Sequence, residues 1–112
     1  MNSFLGLFGP DFDAMADEWA RLNPHAWERF LALCEAKAAA REIFGFKAIA
    51  EVVRFECRGM RTQGGEPFAL NNNIVAYLGR RVLRERPAIV PFVRTRKARW
   101  SLVRDAHERL AS

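Results

Sequence analysis

Apolar residues recur at spacings of three and four along most of the chain. The stretch "DFDAMADEWARL" sets Phe12, Met15, Trp19 and Leu22 on one helical face, with Asp11 and Asp13 in a first turn where the helix dipole favours acids. Asn23 followed by Pro24 reads as a cap and a proline at the first helical position, so a second helix starts there. It carries Trp27, Phe30, Leu31, Cys34 and Ala38 inward, runs through Phe44 and stops at Gly45. A third helix over 46–57, "FKAIAEVVRFEC", buries Phe46, Ile49, Ala50, Val53 and Cys57 at the same period.

That period breaks at "RGMRTQGGEPFALN", which holds Gly59, Gly64, Gly65 and Pro67. Met60 and Thr62 before the glycine pair, with Phe68 and Leu70 after it, predict a small β-hairpin within 58–70. Asn71, Asn72 and Asn73 then offer side-chain oxygens to free backbone N–H groups, and a fourth helix follows to about Glu85, where Pro87 ends it. At 100° per residue, Ile74, Val75, Leu78 and Val82 gather on one side of this helix, and Asn73, Ala76, Tyr77, Arg80 and Arg84 on another. Ile89, Val90, Phe92 and Val93 have strand character, and Pro91 confines them to a sheet edge. A last helix over 98–112 offers Trp100, Val103, His107 and Leu110 for packing.

The expected fold is mainly α, of the α+β kind: a compact bundle of about five helices with a helix-turn-helix or winged-helix-like core, a small hairpin and one further edge strand. A single domain spans 1–112, with an apolar arm over 1–10, the core over 11–97 and the final helix over 98–112. The length fits one core without staples, and the half-apolar composition excludes a disordered class.

Charge sharpens this picture. Residues 1–56 hold six Lys/Arg against nine Asp/Glu, while residues 57–112 hold twelve against four, so the net +5 belongs to the second half. Fifteen of the eighteen cations are arginine, the side chain suited to bidentate phosphate and guanine contacts, although a GC-rich genome gives the same bias. Asn73, Tyr77, Arg80 and Arg84 combine the residue types that read a major groove: Arg for guanine, Asn for adenine, and Ala76 for close approach. Arg94, Arg96, Lys97 and Arg99 follow the edge strand as a phosphate-binding cluster. The same residues also describe a capped, solvated helix and a strand edge guarded by charge.

Few residues form a catalytic or metal-binding pattern. His25 and His107 lack a second ligand at helical spacing, and Cys34 and Cys57 fall at core positions without a C-x-x-C spacing. No metal or cofactor is expected, the thiols fit a reduced compartment, and "GGEP" at 64–67 lacks the lysine and hydroxyl of a phosphate loop. Glu51 and Arg54, three apart on one helix, read as an ion pair rather than an acid–base couple. The expectation is not an enzyme. Phe4, Leu5, Leu7 and Phe8 lack the basic flank of a signal peptide, and no run approaches the ~18 apolar residues of a membrane span, so a cytoplasmic protein is expected. The apolar arm packs on its own domain or meets a second copy or a protein partner.

Glu51-x-x-Arg54-Phe55, a turn, Phe68-x-Leu70-Asn71-Asn72, Tyr77-x-x-Arg80, Pro87 and Phe92-x-Arg94 occur in that order. This arrangement, covering roughly 25–97, resembles small winged-helix-like proteins of uncharacterised function found in bacteriophages, prophages and mobile elements. The resemblance implies a compact helical domain with a small β element, of mobile-element origin, and brings no catalytic residue with it. Two functions are therefore open: a nucleic-acid-binding module, with double-stranded DNA as its partner, or a protein–protein adaptor or inhibitor that binds no nucleic acid.

Overall fold

The computed structural model describes residues 10–94. Most of the apolar arm, the cations Arg96, Lys97 and Arg99, and the helix expected over 98–112 lie outside the described residues. Within them run four α-helices, α1 (Pro10–Leu22), α2 (Pro24–Ala39), α3 (Phe46–Glu56) and α4 (Asn72–Glu85), and a 3₁₀ helix, η1 (Pro87–Phe92). The mainly helical expectation holds, and all four helices start within a residue of their expected positions.

Asn23 joins α1 to α2, but in an unexpected way. Its side chain makes no capping bond to α2. Instead its amide nitrogen donates to the Trp19 carbonyl at 3.0 Å, beside its own backbone N–H at 2.9 Å, so it closes the end of α1. Its carbonyl accepts from Trp27 N–H, so the backbone N–H, the backbone carbonyl and the amide nitrogen of this buried residue are all paired.

α2 ends at Ala39, five residues short of Phe44. Arg41 adopts φ 58°, its N–H donates to Ala38 and that of Glu42 to Lys37. This is a Schellman ending built on arginine instead of glycine. Beyond it, Phe44 forms an isolated parallel bridge with Val93.

The predicted hairpin and edge strand are not formed: the described residues contain no strand. The 58–70 segment does reverse at Gly64-Gly65, with Thr62 N–H donating to Glu66 and Phe68 N–H to Met60, yet the ladder stops at one bridge, Arg61 to Pro67. Pro67 lacks an N–H and the glycines supply no side chains for a pleated face. Thr62 Oγ1 instead accepts from Gly64 and Glu66, and Gln63 N–H anchors the loop on the Leu22 carbonyl. Ile89–Phe92 coils into η1, because Pro87 and Pro91 hold φ near −65° and remove two ladder donors. A winged-helix hairpin is thus absent from the described residues.

The core is shared by every element. Trp19 from α1, Trp27 and Phe30 from α2, Ile49 and Val53 from α3, and Leu78 and Val82 from α4 enclose Cys34 and Cys57. Phe30, Phe46 and Phe44 form a chain of rings with centroids 6.1 and 5.8 Å apart. α1 is rolled relative to the apolar face expected for it: Ala16 and Ala20 face inward with Trp19, while Met15 is exposed. Small residues let α1 lie close along α4, and Trp19 Nε1 donates at 2.9 Å to the carbonyl of Ala69, in the segment that leads into α4.

Candidate nucleic-acid interface

The asparagine run divides by role. Asn71 is the N-cap of α4, its Oδ1 accepting from Ile74 N–H at 2.9 Å. Asn72 accepts from Arg54, whose guanidinium also donates to the Leu70 carbonyl at 2.7 Å and pairs with Glu51. Arg54 therefore fastens the entrance of α4 to α3. Asn73 is exposed in the first turn of α4. With Asn72, Val75, Ala76 and Lys47 of α3 it lines a groove of about 770 Å³ between the two helices.

The remainder of the expected reading face meets α1. The Tyr77 ring stacks on Phe12 at 4.5 Å and 19°. Arg80 lies 3.7 Å from Asp13, and Arg84 reaches Asp13 at 3.7 Å and Asp17 at 2.8 Å. Arg81 pairs with Asp17 and Glu85 and lies over the Trp27 ring at 4.8 Å, and Arg86 donates to Glu35. Asp13 and Asp17 of α1 thus meet the arginines of α4, and Glu35 of α2 meets its C-cap Arg86, so part of the charge asymmetry between the two halves becomes an internal pairing.

These pairs differ in hold. Side chains of Arg80 and Arg84 are 46% and 47% exposed, and exposed pairs contribute about 0–1 kcal/mol each, so either guanidinium can exchange its carboxylate for another anion at small cost. Arg81, 21% exposed and stacked on an indole, is held more firmly. Tyr77 is committed to packing. Asn73, Ala76 and Arg80 remain the open sector of α4.

Arg94 is exposed, and its N–H donates to the Phe44 carbonyl at 2.6 Å. Its own carbonyl faces Gly45, next to the start of α3. The described residues therefore end, at Arg94, beside the start of the helix that carries Lys47. Lys47 carried no signal in sequence as a site residue. It stands alone on an exposed position of α3, and only the packing of α3 against α4 sets it opposite Asn73. The opposing acids Asp13 and Asp17 had a legible signal, their i,i+4 spacing on an acidic helix, but not an assigned partner.

Elsewhere pairing and burial shift several titratable groups. Hydrogen bonding from Arg29 holds the Glu56 carboxyl below the usual range, and Arg21 does the same for Glu18. Burial, aided by Glu35, pushes the Cys34 thiol up to about 12, and burial also raises Cys57. Among the described residues no group of three or more His, Cys, Asp or Glu could hold a metal ion, and no helix is long and apolar enough to cross a membrane. Comparison with protein-family models, curated proteins and solved structures returned no match.

Proposed function

We propose that the chain binds duplex DNA through the amino-terminal end of α4 and the basic segment 94–99, as a small regulatory or accessory protein of the phage type its sequence resembles. The observation that carries this reading is the groove between α3 and α4, where Lys47 faces Asn72, Asn73 and Ala76 at the positive end of the α4 dipole. Unpaired N–H groups of a first turn, a lysine and two asparagine amides are donors of the kind that grip a phosphodiester strand. Arg80 extends this donor set along α4, and Arg94 begins the cluster that Arg96, Lys97 and Arg99 continue. Asn73 is then the residue nearest to base edges, and Tyr77 acts by holding α1 in place. Arg84 joins only after leaving Asp13 and Asp17.

One observation favours the adaptor reading instead. Arg81, Arg84 and Arg86 are already matched by carboxylates of the same chain, which lowers the net attraction for phosphate. Fluorescence anisotropy with labelled duplex and single strands across a salt series separates the two. With about six phosphates neutralised by these cations, the affinity falls with salt at a log–log slope of roughly −5 to −6, and Lys47→Ala or Arg80→Ala each reduces that slope by about 0.9. Asp13→Asn/Asp17→Asn tightens binding by releasing Arg80 and Arg84. A folded protein that binds neither probe at low salt refutes the nucleic-acid reading and leaves the adaptor.

A further inference from the structure

α3 has two apolar faces. Ile49, Ala50 and Val53 enter the core, while Val52 and Phe55 point outward, Phe55 with 72% of its surface exposed. Met60, just past the helix, is exposed as well. Charges bracket this outer stripe in order: Glu51 before it, its carboxylate side chain 60% exposed, and Arg58 after it, its guanidinium 5.3 Å above the Phe55 ring.

We propose that the outer face of α3 is a self-association surface, on which α3 packs antiparallel against α3 of a second copy about a two-fold axis. In such an interface residue i of one copy meets j of the other and j meets i. Glu51 lies on α3 and Arg58 two residues past its end at Glu56, folded back over the Phe55 ring, so the two charges stand on either side of Phe55. A two-fold axis midway between them passes beside Phe55. It sets each Glu51 against the Arg58 of the other copy, brings the two Phe55 rings together at the centre and flanks them with Val52. The charge order is thus complementary to its own reverse, whereas a parallel arrangement opposes Glu51 to Glu51. An aromatic anchor under an arginine is also the composition of an interface hot spot. The stripe is narrow compared with the ~1,000 Å² that a durable interface needs, so the dimer is weak and concentration-dependent. This inference stands apart from the nucleic-acid reading, because it uses neither the groove nor the basic segment.

Sedimentation velocity from low micromolar to near-millimolar protein tests it. The wild type shifts from monomer to dimer as concentration rises, and Phe55→Ser, which removes an exposed ring and leaves helicity by circular dichroism unchanged, stays monomeric throughout. Glu51→Arg and Arg58→Glu each weaken association by about tenfold or more. The combined Glu51→Arg/Arg58→Glu exchange restores it, since the same pairs re-form with the charges swapped. Glu51 also pairs with Arg54 within the chain, so the melting temperature of each variant reports that loss separately. A wild type that stays monomeric at every concentration overturns the proposal. So does a dimer that survives Phe55→Ser, or a double exchange that fails to rescue. If another segment of this chain covers the stripe, Phe55→Ser alters melting without altering mass, and if a different protein covers it, the wild type stays monomeric; either result overturns the proposal.

Discussion

Substituting Gly79 by alanine sets two effects of opposite sign against each other. In an open helix interior the change stabilises by about 1 kcal/mol, because glycine gives up more backbone freedom than alanine when the helix forms. Gly79 lies in the middle of α4 and is buried against Phe46, and a Cβ built there falls 2.4 Å from Cδ2 and 2.6 Å from Cε2 of that ring. Ordinary carbon contacts sit near ~3.5–4.0 Å, so the ring must retreat by roughly 1 Å. It cannot do so freely, since Phe30 stacks beside it and Phe44 meets it edge-on. Overpacking of this kind costs typically 1–3 kcal/mol, and a ring held on two sides belongs towards the upper end. The net expectation is a destabilisation of about 1–2 kcal/mol, or a fall in melting temperature of roughly 5–15 °C. Urea unfolding followed by circular dichroism measures it in the wild type, Gly79→Ala, Phe46→Leu and the double variant. With a smaller leucine side chain in place of the Phe46 ring the alanine penalty shrinks, giving a coupling of about 1 kcal/mol. A Gly79→Ala protein as stable as the wild type, or an equal penalty in both backgrounds, refutes the contact as the cause.

Four further outcomes are expected. Asn71→Ala costs about 1 kcal/mol through loss of the cap on Ile74, while Asn73→Ala stays within about 0.5 kcal/mol of wild type in urea unfolding. Equal losses at both positions would contradict the division of the asparagine run. Arg41→Gly stabilises by roughly 0.5–1 kcal/mol, since glycine accepts the positive φ of the Schellman ending without steric cost; a destabilised variant speaks against it. The Glu56 carboxyl sits below its ordinary value in the fold, so its contribution is complete above that ordinary value and fades as pH falls through the lowered one. Melting curves of Glu56→Gln against pH should lack that part of the acid decline, and an unchanged decline disproves the link. Finally, the Cys34 thiol, pushed up to about 12 by burial, should resist Ellman's reagent at mildly alkaline pH until the protein unfolds, and prompt labelling of the native protein would show that it is not enclosed.

Much of the helical framework was legible because its signals are local. Asn71 ahead of Ile74, Pro24 at a first turn and the three-and-four spacing of Phe30 and Cys34 each act within a turn or two of chain. The structure departs from the sequence pattern where a local signal is weak or ambiguous. Arg41 ends α2 in a conformation normally marked by glycine, so nothing in the residue type announced it. Ile89 to Phe92 look like strand until two prolines and the neighbouring helices favour a 3₁₀ turn. The residues beside Gly64-Gly65 do reverse the chain, but Pro67 and the lack of side chains to pair leave one bridge where a ladder was expected.

The candidate site divides along the same line. By itself the sequence determined which helices carry the cations, that Asn73, Arg80 and Arg84 share one side of α4, and that the acids collect in the first half. Those are properties of spacing and composition, set by a 100° turn per residue. Only the tertiary structure decided that Asp13 and Asp17 meet Arg80 and Arg84, that Tyr77 stacks on Phe12, and that Lys47 stands across a groove from Asn73. Periodicity says which face of a helix is polar and leaves unspecified what that face looks at. That is settled by how the buried stripes pack, and here Ala16 and Ala20, small enough to lay α1 close along α4, brought the acidic helix over the basic one.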